Sequence, residues 1–349
     1  MGRGGFRGAV AVAAAMAVAT ALVAAAYDLP VRDPDGVSIP TWVRLPAIVL
    51  LAVALDVVPR WVAAIRRDAV GAWPALRAVV RERWNRDQVQ FTVVGLAAWY
   101  VAYVAFRNLK GYLPFVTDRL WDTELARADR LLWLGHDPAD VLHQVLGTGW
   151  AAWLMSGVYV LWIGLVPAML AIALVWTRRS RTGELYVTAV SFNWLIGVGV
   201  YYLVPSLGPI YSAPQGFADL PDTFNTGVQE LLLDDRVAVL AGPWDTRAVQ
   251  TIAAFASLHV AITVTTCLVA ELIRLPRWVR LSGWVFAGLT CLSTVYLGWH
   301  FFVDVLGGVV IGTLALVLAA WTTGHPLRRR DRTWTLRGAR AREEEQVGS

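Results

Sequence analysis

The sequence predicts an all-α fold, a polytopic membrane helix bundle of about eight transmembrane helices, from three observations. Of 349 residues, 57% are hydrophobic and only 16% charged, and the mean hydropathy is +0.51; soluble domains carry far more charge. Several apolar runs are long enough to cross about 30 Å of hydrocarbon, which takes roughly 20 helical residues. These runs do not alternate polar with apolar residues, as barrel strands must.

The first candidate span, about 9–26, is an Ala/Val run behind Arg3 and Arg7. Those arginines and the run Ala24, Ala25, Ala26 also suit a cleaved signal peptide. The second span, about 45–59, leads into residues 60–88, where seven arginines alternate with Trp61, Ala and Val. That pattern suits an amphipathic helix on an anionic membrane surface, and equally a solvated basic loop. The third span is about 89–106. Loop 107–150 follows, with a short helix expected to start near Asp137 and Pro138, a capping residue and a first-turn proline.

Spans at about 151–176 and 186–204 precede a Pro-, Gly- and Asp-rich stretch, 205–249, which either covers a site or connects two spans. The last three spans are about 255–273, 281–299 and 303–322. The tail from 323 is arginine-rich and then acidic at Glu343, Glu344 and Glu345, a composition expected to stay disordered. Domain organisation follows: 1–88 as two N-terminal spans with a basic segment, 89–322 as the last six spans and 323–349 as the tail.

Charge sets the expected orientation. Segments joined to one side of the eight spans hold 22 Lys and Arg, those on the other nine. The positive-inside rule therefore places both termini in the cytoplasm of a plasma-membrane protein, with 107–150 and 205–249 outside. Thirty of the 31 basic residues are arginine in an alanine-rich chain. That usage reflects a GC-rich genome rather than a nucleic-acid partner. Cys267 and Cys291 both fall in apolar runs and are expected to be buried spectators.

Ionisable groups at membrane depth are costly and therefore candidates for function. Three stand out: His259, His300 and Asp304. Counting 1.5 Å per helical residue puts the two histidines at one level near the outer boundary. If the helix begins before His300, Asp304 sits one turn on and can hold one imidazole nitrogen, leaving the other free to attack. His259 is then available as a proton donor, since imidazole titrates near about 6.5. His136, His143 and His325 fall in loops or the tail and are expected to be structural.

The segment Tyr296-Leu297-Gly298-Trp299-His300, with Asp304 and Gly307-Gly308 beyond it, resembles the third signature of the type 2 phosphatidic acid phosphatase superfamily. Ser257-Leu258-His259 resembles the second signature, in the S-L-H form of the inositol phosphotransferase branch that includes inositol phosphorylceramide synthases. The resemblance covers about 89–322, the last six spans, and implies that they form a six-helix catalytic core. It implies a metal- and cofactor-independent reaction in which His300 attacks phosphorus, Asp304 orients it and His259 protonates the leaving oxygen. Ser257 and the first amides of its helix would hold phosphate oxygens. The implied substrate partner is a membrane lipid phosphate, with water or a polyol as acceptor.

Three features depart from the signatures. Thr294 stands where the third has arginine, Ala256 where the second has proline, and no K-x6-R-P motif is present. Arg107 and Lys110, the only lysine, are the basic candidates for the phosphate, because phosphoryl transfer relies on electrostatic stabilisation. Residues at a helix end also often mark only the interface. Competing readings are a lipid phosphate phosphatase of the same superfamily, a metal-dependent membrane hydrolase and a proton-relaying transporter.

Overall fold

The computed structural model describes residues 5–34, 41–68, 71–177 and 181–326. Among them are thirteen α-helices and no strand, so the all-α expectation holds. In chain order they are α1 (Arg7–Tyr27), α2 (Thr41–Asp68), α3 (Ala72–Arg83), α4 (Arg86–Val116), α5 (Asp122–Leu132), α6 (Pro138–Leu146) and α7 (Trp150–Ala171). Then come α8 (Arg181–Leu203), α9 (Pro209–Ser212), α10 (Phe224–Ala241), α11 (Leu258–Leu272), α12 (Arg277–Tyr296) and α13 (Phe302–Thr323).

Among the described residues six helices are long and apolar enough to cross a membrane: α1, α2, α4, α7 with its continuation to Trp176, α8 and α13. The other two expected spans fold as helices too. The first, α11, is short at 15 residues, and α12 carries Arg277 and Arg280 in its first turn. The expected tail lies outside the described residues from 327 onward, as do residues 1–4 at the N-terminus and Arg178 and Arg179 of the basic turn.

The bundle centres on α8, which is buried on most sides and packs against α1, α4, α11 and α13. In a bilayer, close backbone approach and interhelical hydrogen bonds replace the hydrophobic drive between helices. Glycines allow that approach where α13 crosses α11: a Cβ on Gly308 would collide with the carbonyl of Ser257, and one on Gly312 with that of Ala261. The crossing is tied by Thr265 Oγ1, which donates to Gly312 O (3.0 Å) and accepts from Asn193 Nδ2 (2.9 Å). Such bonds contribute about 0.6 kcal/mol each on average.

Two boundaries differ from expectation in ways that matter for the site. Helix α4 does not stop near 106 but runs ten residues further, to Val116. Arg107 and Lys110 therefore lie within a helix wall rather than beyond its end. The connecting segments are more helical than their composition suggested. Alongside α6, which starts at the expected Asp137 cap with Ala139 N donating to Asp137 Oδ1 (3.0 Å), loop 107–150 contains α5. Stretch 205–249 contains α10, an 18-residue helix. Residues 60–88 split between the end of α2 and α3, joined through buried Asp56, which takes Arg60 (2.6 Å) and Arg83 (2.5 Å).

Candidate active site

Ser257 ends the extended run that enters α11. Its side chain caps the helix by accepting from Val260 N (3.4 Å), and its own N–H donates to Asp304 O (3.0 Å). His259 follows in the first turn of α11. Across the crossing, α12 ends at Tyr296 and α13 begins only at Phe302, so His300 sits in the intervening turn rather than on a helix. The expected route to the His300–Asp304 contact, one helical turn, is thus replaced by another. Asp304 is the third residue of α13 and folds back over the helix start: its Oδ2 accepts from Phe301 N (3.0 Å) and meets His300 Nδ1 at 3.2 Å.

The other face of His300 meets the second histidine. His259 Nδ1 is 3.1 Å from His300 Nε2, so Asp304, His300 and His259 form one hydrogen-bonded chain. Because Asp304 Oδ2 already accepts an amide, the pattern assigns an N–H to His300 Nδ1 and a lone pair to Nε2. His259 Nδ1 then supplies the proton in the contact between the rings. Asp304 is fully buried and His300 nearly so. His259 is held by aromatic rings: Trp162 lies 4.3 Å from it, centroid to centroid, and donates its indole N–H to His259 O (3.1 Å). Tyr159 packs at 5.1 Å and stacks on Trp299 at 5.0 Å.

Both histidines open on a cavity of about 650 Å³, which Arg107 and Lys110 also line. The Lys110 ammonium lies 4.9 Å from the centre of the Tyr201 ring. Arg107 Nε is buried with no hydrogen-bond partner. Among the described residues no carboxylate forms an ion pair within 4.0 Å of either cation, and Asp235 of α10 acts on Arg107 only through space. Two basic side chains thus line the same cavity as the two histidines.

Ser257 is the exception among the expected phosphate contacts. It is fully buried, does not line the cavity, and its hydroxyl is committed to capping α11. Thr294, at the signature arginine position, is also fully buried and donates to Cys291 O (3.1 Å) within its own helix. Among the described residues no group of three or more His, Cys, Asp or Glu could hold a metal ion.

The turn carrying His300 is braced by groups that the motif search did not single out. Asp129 of α5 accepts from Phe302 N (2.7 Å) and Val303 N (2.8 Å), the free amides at the start of α13. Burial pushes the Asp129 carboxyl up to about 6, against the pull of those two amides and with added repulsion from Asp304 and Asp137. Two helical turns earlier on the same face, Asp122 accepts from Leu207 N and Gly208 N (3.0 and 2.8 Å). That grip matters because Ile210 N donates to Gly298 O (2.9 Å). From α10, Gln229 Nε2 donates to Leu297 O (2.8 Å), and Asn225 Oδ1 accepts from Trp299 Nε1 (3.1 Å).

Stretch 205–249 therefore does more than cover or connect: it is part of the frame of the turn. The only sequence signal for this was a helical, acid-first segment, Asp122–Leu132, in a stretch read as loop. His143 has the structural role expected of it, with Nε2 2.8 Å from Tyr296 O.

Compared with known families, residues 123–318 match the PAP2 superfamily, more than half of the chain. The chain belongs to the PAP2 superfamily. The match includes Ser257, His259, His300 and Asp304, and is narrower than the 89–322 of the resemblance: α4, with Arg107 and Lys110, lies before it. No curated protein and no solved structure matches the chain. As a member of this superfamily with several apolar helices, the protein is a multi-pass membrane protein of phosphatase type.

Proposed function

We propose that this PAP2 superfamily protein is a phosphotransferase that takes a phosphoryl group from a membrane lipid phosphate and passes it to a polyol such as inositol. The observation that carries the reading is the chain Asp304–His300–His259 opening on a cavity with two basic side chains. The phosphate enters between the histidines, parting their contact. His300 Nε2 attacks phosphorus, the bond from phosphorus to the lipid oxygen breaks, and His259, entering as the imidazolium, gives its Nδ1 proton to that oxygen and is left neutral. Asp304 stabilises the charged ring that results. In the second half His259 takes a proton from the acceptor hydroxyl, which attacks phosphorus and releases His300.

Arg107 and Lys110 meet the phosphate oxygens, taking the part of the signature arginine that Thr294 replaces. Ser257 acts indirectly, by fixing the start of α11 beside Asp304. The aromatic surround of Tyr159, Trp162, Tyr211 and Trp299 supports transfer over hydrolysis, because a phosphohistidine reacts with whichever hydroxyl is best placed and transfer requires water to be kept away. Residues 89–322 act as the catalytic core. The charge asymmetry, 22 against nine, supports cytoplasmic termini and an extracytoplasmic site in the plasma membrane.

Purified protein incubated with radiolabelled lipid phosphates, with and without inositol, tests this reading. Formation of a labelled polyol phosphate monoester that depends on the added polyol is expected. Release of inorganic phosphate at a rate no polyol alters would make the protein a lipid phosphate phosphatase.

A further inference from the structure

The cavity does not end at the histidines. On α4 its lining recurs at Lys110, Arg107, Tyr103, Trp99, Leu96 and Thr92, one face of the helix. Eighteen residues at 1.5 Å each make that face about 27 Å long. The opposite wall is α7, which passes from Tyr159 and Trp162 beside His259 through Val166 and Leu170 to Leu174. The two walls meet at the far end, where Thr92 Oγ1 and Gln88 Nε2 donate to Leu174 O (3.0 and 2.9 Å) in the π-helical turn Ile172–Trp176.

The third wall of this arm is α2, through Ile48, Val49 and Ala52. Outside its packing on α3, α2 touches the rest of the bundle mainly at the π-helical turn, the far end of this arm. Ile48 remains 45% exposed, so the arm opens beside α2 toward the surroundings of the bundle. Both α2 and α4 lie before the residues that match the superfamily.

Charge is confined to one end. Past Arg107 the α4 and α7 walls carry no ionisable group except the tyrosines, so the cavity is amphipathic along its length. A cavity of this length, with apolar walls beyond one charged end, has the shape of a phosphate joined to a hydrocarbon chain.

We propose that the arm between α2, α4 and α7 binds a hydrocarbon chain of the lipid whose phosphate reaches His300, and that Ile48, Val49 and Ala52 set the preferred length of that chain. The proposal rests on the lipid phosphate reading and adds its substrate class, an anionic amphiphile with a deeply held chain. Selection is by steric fit, because a chain leaving the bilayer for an apolar arm gains little from burial alone.

Two measurements test it. Ala52→Trp, which narrows the arm, should lower the ratio of kcat/KM for a long-chain over a short-chain alkyl phosphate at least about tenfold, the lower range of what a hydrophobic pocket discriminates. Ile48→Ala, which widens the arm, should shift the optimum to longer chains; equal effects on both chain lengths in both variants would overturn the proposal. Independently of turnover, a long alkyl phosphate with a photoreactive group at its chain terminus should crosslink to peptides containing Ile48–Ala52 or Leu170–Leu174, in wild type and in His300→Ala. Crosslinks confined to other helices would also overturn it. Crosslinks in the arm of a protein that transfers no phosphoryl group would retain the chain site and remove the enzymatic reading.

Discussion

His259 Nδ1 lies 3.1 Å from His300 Nε2, on the side of the ring opposite the bond to Asp304. The proton that His259 brings to the leaving oxygen therefore rests, before substrate arrives, against the nitrogen that attacks. This predicts a dependence on the leaving group. His259→Ala should slow turnover of an alkyl phosphate by about 100- to 10,000-fold, the usual contribution of a general acid. It should cost much less with p-nitrophenyl phosphate, whose leaving group needs little protonation. Equal losses for the two substrates would remove His259 from the acid role.

The cations on α4 carry a second prediction. Arg107→Gln and Lys110→Gln should each reduce turnover by about 10- to 1000-fold, the range for one lost electrostatic donor. Because neither forms a salt bridge within 4.0 Å among the described residues, and Asp235 meets Arg107 only through space, the thermal midpoint of each variant should stay near wild type. Wild-type turnover in both would return them to a structural role in α4.

Asp129 is predicted to position rather than to react. Its two oxygens serve two amides, and Asn can accept with only one of its two polar atoms, so Asp129→Asn leaves Phe302 N or Val303 N facing a second donor at a cost of about 1–3 kcal/mol. A pH signature accompanies the loss. A carboxyl raised from 3.8 to about 6 by burial favours its protonated form in the fold. The stability that proton contributes is complete below 3.8 and lost as pH rises through about 6. The gap in thermal midpoint between wild type and Asp129→Asn should narrow across that window. A gap independent of pH would show that Asp129 does not titrate there.

Much of this architecture was legible in the sequence, and what was not follows from distance along the chain. Apolar runs identify spans because a bilayer imposes length and satisfied backbone polar groups. His259, His300 and Asp304 were legible because charge at membrane depth is rare. The brace was not. Asp122 and Asp129 act on Gly208 and Phe302, 86 and 173 residues away, and acidic residues in a polar segment look like solvated surface. Ser257 shows the reverse error: its place in a motif suggested substrate contact, while the local geometry spends its hydroxyl on a helix cap. Arg107 and Lys110 were selected by charge alone; only the continuation of α4 to Val116 places them in the cavity wall.

Orientation gives a fourth prediction. Gln215→Cys, in the short turn Pro214–Phe217 near the site, should react with an impermeant thiol reagent from the extracytoplasmic side of intact cells, and Ser180→Cys should not. The opposite labelling would place the active site in the cytoplasm.

The most direct test of the central claim is to trap the intermediate. Wild-type protein mixed briefly with a radiolabelled lipid phosphate, quenched in alkali and digested, should yield an acid-labile, alkali-stable phosphopeptide containing His300. His300→Ala, folded as judged by its thermal midpoint, should give no phosphopeptide and lose turnover by roughly 10,000-fold or more. A wild-type enzyme that turns over without label on His300, or a His300→Ala variant that still forms the phosphopeptide, would contradict the account.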